Sequence, residues 1–538
     1  METKYIFMTG GVCSGLGKGI TAASLGRLLK ARGLKVTIQK FDPYLNQHPG
    51  LLNPYQHGEV YITEDGAEVD LDLGHYERFI DENLSDANSV SAGRIYAELL
   101  SKETNRAFIG ETIQVVPHIT DAIKERAYRA GKNSQSDIII SEIGGTVGDI
   151  EGLPFIEAIR QIMYEVGTEN VMYIHVTLIP FLDFANEMKT KPSQHSVKDL
   201  LSLGIKPDAL VCRTKHPLSD EIRDKLSRFC NVDKSCVIEN RDVNCIYDLP
   251  LLFEEERFAE IVCKRLGIEP REPDLAEWRK LTEKFNNLTD EVTIGLVGKY
   301  TEFGDAYLSL LEAMKHAGLS HNVKVDINRI SAEDINDDNA AEHLAGLGGI
   351  LVPGGYGNRG IPGLISAVKY ARENKVPFLG LGLGMQCAVV EFARNVMHRN
   401  EADTAEFNPD TEMPVVERIR QYEEDNPKTM LQMRKGAFPC KITPDTILSR
   451  AYGEPLIYER FRHLFKINNS YRNDFATAGM VESAVSADEQ HLEGIELPGE
   501  IHPWFAGVQF HPEFKSRLTR PNPLFVEFIG AAMGKKYE

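Results

Sequence analysis

The feature that most constrains this chain is an alternation, run through twice, of apolar segments of strand length with stretches of helical composition. Residues 5–8, 138–140, 171–179 and 209–212 form a first series, and residues 292–297, 349–352, 377–379 and 507–510 a second. Each series predicts a parallel sheet covered by helices, so the fold class is α/β twice over. Between them Pro270, Pro273 and a polar, charged stretch read as a helix-bearing connector over 269–290, which puts the domains at 1–268 and 291–538. A length of 538 residues is ample for several buried cores. With no internal repeat of roughly 20–50 residues and no low-complexity tract, solenoids and propellers are excluded.

Charge and cysteine usage narrow the function classes. Asp and Glu number 79 against 60 Lys and Arg, a formal net charge of -19, which is the wrong sign for coating nucleic acid or an anionic membrane. No apolar run approaches the roughly 18–20 residues needed to span a bilayer, and the first nine residues carry no cleavable signal pattern, so a cytoplasmic location is expected. The eight cysteines contain no C-x-x-C pair and are scattered along the chain, which argues for reduced thiols and against a zinc knuckle or a disulfide framework.

The strand at 5–8 runs into a glycine-rich loop from Gly10 to Ile20 and then a helical stretch at 21–31. Backbone N–H groups of such a loop can turn toward phosphate oxygens, the helix N-terminus favours negative charge, and Lys18 adds a point charge. The pattern departs from the usual P-loop, since five residues separate Gly11 from Gly17 and Gly19 stands where a metal-binding Ser or Thr belongs. Metal ligands must then come from elsewhere. Glu142, at the carboxyl end of the strand at 138–141, and Asp72 are the candidates, and two carboxylates with phosphate oxygens suit Mg²⁺. A plain glycine-rich turn and a solvated loop acid at Asp72 remain open at this level.

Several segments together resemble the CTP synthases, which amidate UTP with ATP and glutamine-derived ammonia. They are 10–20, 39–44, 54–60, 70–79, 141–151 and 189–196. The resemblance implies an N-terminal P-loop-type synthetase domain and a C-terminal class I glutamine amidotransferase-like domain. It implies that Gly15, Leu16, Gly17, Lys18, Gly19 and Ile20 hold the ATP phosphates, with Arg213 near the ATP, that Asp72 and Glu142 bind Mg²⁺, and that Lys40 steers phosphate charge. Lys189, Thr190, Lys191, Pro192, Ser193, Gln194 and Lys225 would receive the UTP triphosphate. Ser14 with Asp149, Ile150 and Glu151 would contact nucleotide, including CTP as feedback inhibitor. A homotetramer is expected on the same ground. The chain has Ser14-Gly15 where the family commonly has Ser-Ser, and Gln47-His48 in place of Val-Asp.

In the second domain the elbow at 378–386 has Gly382 where the amidotransferase nucleophile, a Cys, belongs. Covalent thioester chemistry cannot start at glycine, and Cys387, five residues on, would point elsewhere by roughly 140° of helical rotation. His511 and Glu513, the base and its orienting acid, survive as vestiges, with the glycines at 353–357, including Gly355, and the remnants Gln386 and Glu406. Leu464 replaces an Arg that would help hold the glutamine carboxylate, and Pro362 replaces an acidic residue associated with GTP, which puts GTP activation in doubt. The expected function is therefore amination of UTP to CTP in pyrimidine biosynthesis, through a 4-phosphorylated intermediate, with free or externally supplied ammonia. The alternative is a non-catalytic nucleotide-binding homologue that regulates or forms filaments. A partition-type ATPase would explain the first loop only.

Overall fold

A computed structural model describes residues 2–535 apart from 48, 53, 424, 425 and 432; His48, singled out above, lies outside the described residues. The chain forms two compact units, Met1–Pro49 with Asp72–Asn286, and Gly50–Leu71 with Asn287–Glu538.

The first unit is built on a seven-stranded sheet of β1 (Lys4–Gly10), β2 (Val36–Asp42), β3 (Ser89–Ser91), β4 (Ile138–Ile143), β5 (Val171–Ile179), β6 (Ala209–Thr214) and β7 (Val237–Arg241). Their order is β7-β6-β5-β1-β4-β2-β3 and every pairing is parallel. β1, β2 and β4 are almost wholly buried, as expected of strands covered on both faces. Register positions the chemistry: Lys40 on β2 pairs with Glu142 on β4 and Thr9 on β1 pairs with His175, midway along β5; Lys40, Glu142 and Thr9 lie near the carboxyl ends where open α/β sheets collect ligands. The helices that matter are α1 (Lys18–Ala31), α2 (Asp72–Ile80), α3 (Lys191–Ser202), α4 (Asp220–Cys230) and α5 (Ala276–Asn286). α5, inside the connector stretch, packs on this unit through buried Trp278, whose indole N–H donates to Tyr247 O at 2.8 Å.

The second unit carries a nine-stranded sheet of β8 (Asp290–Gly298), β9 (Val323–Ser331), β10 (Gly349–Val352), β11 (Phe378–Leu381), β12 (Arg434–Ile442), β13 (Leu456–His463), β14 (Val481–Ser486), β15 (Leu492–Glu496) and β16 (Phe505–Val508), in the order β9-β8-β10-β11-β16-β15-β14-β12-β13. The five strands from β9 to β16 pair in parallel and the rest antiparallel. β11 and β16 are neighbours, so the turn into α6 (Leu383–Asn395) and the segment after β16 emerge side by side. Among the described residues no helix is long and apolar enough to cross a membrane.

Buried Glu459 is expected to make the stability of this unit depend on pH. Glu459 on β13 accepts from the Tyr452 hydroxyl at 2.8 Å and Asn522 Nδ2 at 3.1 Å, its other oxygen has no partner, and burial pushes its pKa up to about 7. A carboxyl with a folded pKa above its unfolded value costs stability progressively as pH rises toward 7. Glu459→Gln is therefore expected to raise Tm at pH 8 and to change it far less at pH 5. Equal shifts at the two pH values, by scanning calorimetry, would contradict this.

Candidate active site

In the first unit β1 ends at Gly10 and α1 begins at Lys18, with Gly17 in the left-handed region (φ 80°) as its N-cap. Buried Lys18 donates from Nζ to Gly145 O at 2.7 Å, and Val147 N donates to Gly10 O at 2.8 Å, so the loop after β4 is tied to the loop after β1. Lys40 lies between two carboxylates, paired with Asp72 Oδ2 and, at 3.1 Å, with Glu142 Oε1. The Tyr76 hydroxyl, one turn along α2, donates to Glu142 Oε2. Asp72 opens α2 and is not a solvated loop acid. A Cβ on Gly19 would lie 2.2 Å from Asp72 Oδ1 and 3.3 Å from Glu142 Oε2. The two carboxylates thus fill the space a P-loop hydroxyl would take, which is why glycine stands there.

Burial dominates the electrostatics. It lowers the Lys18 pKa and raises those of Glu142 and, to about 6, Asp42, against the pull of Lys40. Burial also opposes the Lys40 ammonium, but Asp72 and Glu142 hold its proton well above the ordinary lysine range. Three carboxylates facing two lysines leave an excess of negative charge that a divalent cation would offset. The oxygen-only donor set fits Mg²⁺, with phosphate and water completing its shell, since no group of three or more metal-ligating side chains stands ready among the described residues.

The residues expected around the nucleotides fall into three places. Arg213, at the end of β6, has Nη1 3.5 Å from where a Cβ on Gly17 would be, and Nη2 pairs with Asp242 at 2.7 Å. Lys189 pairs with Glu187 at 2.5 Å, and both Lys189 and exposed Lys225 of α4 hold that carboxylate below its usual range. Thr190 caps α3, with its hydroxyl accepting from Gln194 Nε2 at 3.0 Å, Ser193 donates to Leu178 O at 2.9 Å, and Lys191 lies over the Phe229 ring. Ser14, Ile150 and Glu151 are exposed, and Asp149 Oδ2 accepts from Thr146 N at 2.8 Å.

His175 escaped the sequence reading. It is fully buried, with Nδ1 2.9 Å from Thr9 Oγ1 and Nε2 2.7 Å from Ser196 Oγ on α3. Burial and then Lys18 push its pKa down to about 3, so the ring is neutral. A Cβ on Gly11 would fall 1.5 Å from Ser196 Oγ, so this chain joins the first loop to the helix that carries residues 191–194. A histidine in a largely apolar strand was the available signal.

In the second unit Gly382 occupies the strand-to-helix elbow between β11 and α6 at φ 51°, ψ −105°, its N–H donating to Val508 O at 2.8 Å. A Cβ there would lie 3.4 Å from His511 Nε2, an ordinary contact, and His511 Nδ1 is 2.8 Å from Glu513 Oε1. His511 and Glu513, the expected base and its acid, thus face a position that bears no side chain. A cavity of about 260 Å³ brings Gly382 together with Gly355, Gln386, Glu406, His511 and Glu513, and Leu464 forms part of its wall. Cys387 faces the core, outside that lining, with burial raising its thiol to about 12. Arg359 donates to the Tyr55 hydroxyl at 2.9 Å and pairs with Glu333 at 3.5 Å.

Comparison with known proteins finds two families along the chain. Residues 4–268 match the family described as CTP synthase N-terminus, and residues 302–531 match Glutamine amidotransferase class-I. The CTP synthase of Ruminiclostridium cellulolyticum is 56% identical over 532 residues, 99% of each chain. That of Clostridium perfringens strain SM101 is 53% identical over 535 residues, again 99% of each. A solved Trypanosoma brucei CTPS glutaminase domain with bound acivicin is 35% identical, covering 46% of this chain and 96% of that one at a TM-score of 0.43.

Proposed function

Because this chain belongs to the CTP synthase family, we propose that it is an ATP-dependent ligase that converts UTP to CTP with ammonia from solution or from an external supplier. The observation that carries the second half is the elbow: an intact His511–Glu513 pair aimed at Gly382, which has no nucleophile to offer. The first half is supported by the undamaged Lys18, Lys40, Asp72 and Glu142 cluster, whose buried charges cost stability and serve no packing need. That cost argues against a purely regulatory role.

The γ-phosphoryl group of ATP moves to O4 of uracil as its bond to ADP breaks and N3 gives up its proton, which turns a poor leaving group into phosphate. Ammonia then adds at C4, the C4–O bond breaks, phosphate departs and the nitrogen sheds a proton. Lys18 and Lys40 offset phosphate charge, and the loops at 10–20 and 144–149 fix the geometry. Asp72 and Glu142 would hold Mg²⁺, which supplies charge neutralisation on the phosphates when bound. Lys189, Lys191 and Lys225 take the second triphosphate.

His175 acts as a positioning residue between the two nucleotide sites. His175→Ala strands the Thr9 and Ser196 hydroxyls and is expected to raise KM for ATP and UTP together by about tenfold, with His175→Asn partly restoring both. A change in kcat alone, in steady-state kinetics, would contradict that role.

The reading is tested by following CTP and phosphate formation with ammonium chloride at mildly alkaline pH. CTP is expected with ammonium and not with glutamine plus GTP, and ATP hydrolysis is expected to require UTP. A protein that binds both nucleotides and makes no CTP from either nitrogen source is the regulatory homologue instead.

A further inference from the structure

The cavity beside Gly382 has no thiol at the elbow and brings together Glu406, Gly355 and, where a carboxylate-binding Arg is expected, Leu464. Glu406 Oε1 accepts the Gly357 N–H at 2.9 Å, and its carboxylate forms no ion pair among the described residues. Burial raises its pKa against the pull of the Gly357 N–H, Lys299 and Arg418, and neither cation comes within ion-pair distance of it. The other carboxylates on the lining are engaged, Glu59 by Ser309 N at 2.8 Å and Glu513 by His511. They deepen the negative potential.

Among the described residues of the lining, no unpaired Lys or Arg answers a ligand carboxylate. Arg462 gives Nε and Nη2 to Glu68 at 2.9 and 2.8 Å, and Lys299 donates to Tyr356 O at 3.1 Å and to Gly357 O. His463 is held neutral, burial pushing it down to about 3, with Nδ1 2.7 Å from Phe465 O. Leu464 puts an alkyl group on the wall beside them. A carboxylate entering here would be desolvated without a partner, whereas an ammonium meets Glu406 and an alkyl chain meets Leu464.

We propose that this cavity binds a small primary amine that carries an uncharged amide and no carboxylate, and holds it unreacted. The ammonium sits on Glu406, the alkyl chain lies along Leu464, and the amide reaches the backbone around Gly382 and Gly355. The inference rests on the reading of this site as a glutaminase without its nucleophile. It is read by binding alone and does not depend on whether the first unit makes CTP.

Calorimetric titration of the full chain at pH 8, without nucleotides, compares 4-aminobutanamide, butanamide and L-glutamine. The first is expected to bind at least about tenfold more tightly than either of the others, because butanamide lacks the cation and glutamine brings the unpartnered carboxylate. Glu406→Gln is expected to abolish the preference over butanamide, and Leu464→Arg to reverse the order of 4-aminobutanamide and glutamine. Glutamine binding to the parent chain as tightly as 4-aminobutanamide overturns the proposal. So does equal binding of butanamide, and neither result needs a variant that folds.

Discussion

Lys40→Ala is expected to lower the rate of CTP formation by about 100- to 1000-fold and to destabilise the first unit by about 3–5 kcal/mol at once. Both effects have one cause. Lys40 pairs in register with Glu142 and bridges it to Asp72, with Asp42 close by, so its removal leaves buried carboxylates facing one another. The pair is no bargain for stability as it stands, yet breaking it leaves charge that burial cannot tolerate. Urea denaturation and initial rates with ammonium chloride check the two halves. Full activity in a destabilised variant would remove Lys40 from the chemistry and leave it a structural counter-ion.

Gly382→Cys is expected to create a reactive thiol in a prepared setting. The built Cβ position meets His511 Nε2 at 3.4 Å with no clash, so the thiol gains an imidazole that Glu513 already orients. Its alkylation by iodoacetamide is expected to outpace that of exposed Cys13 in the same chain by about 100-fold at pH 7, and to fall to the Cys13 rate when His511 is also replaced by Ala. The positive φ of the elbow makes the change cost about 1–3 kcal/mol of stability. Glutamine hydrolysis is expected only once Leu464→Arg is added, because the single variant still lacks a partner for the substrate carboxylate. Hydrolysis by the single variant would show that Leu464 is no barrier, and inert alkylation kinetics would show that the base is misaligned.

Much of this was legible before any coordinates. The two strand series lie in the two sheets, as four strands of seven and four of nine, whereas the antiparallel strands β12 to β15 of the second sheet were not foreseen; the loop at 10–20 lies between β1 and the start of α1. The glycine at the elbow was visible as a single letter at 382, where the amidotransferase pattern expects a Cys, and the structure places it between β11 and α6. Other features were not legible for physical reasons. Gly19 looked like a loss from the phosphate loop until Asp72 was seen in its place, a contact between residues far apart in sequence. His175 read as one more core residue in a strand, since nothing local says that its two ring nitrogens meet hydroxyls from β1 and α3. The passage of residues 50–71 into the second unit, where Gly50, Leu52, Pro54, Glu59 and Val60 line the cavity, leaves no trace in periodicity or composition.

The central claim, a working synthetase beside a glutaminase that supplies nothing, is met most directly by an isotope competition. The enzyme is given UTP, ATP, Mg²⁺ and GTP with ¹⁵N-ammonium chloride and unlabelled glutamine in equal amounts, and the CTP is weighed by mass spectrometry. All of the CTP is expected to carry ¹⁵N. Unlabelled CTP above the level formed from spontaneous glutamine breakdown in an enzyme-free control would contradict the account.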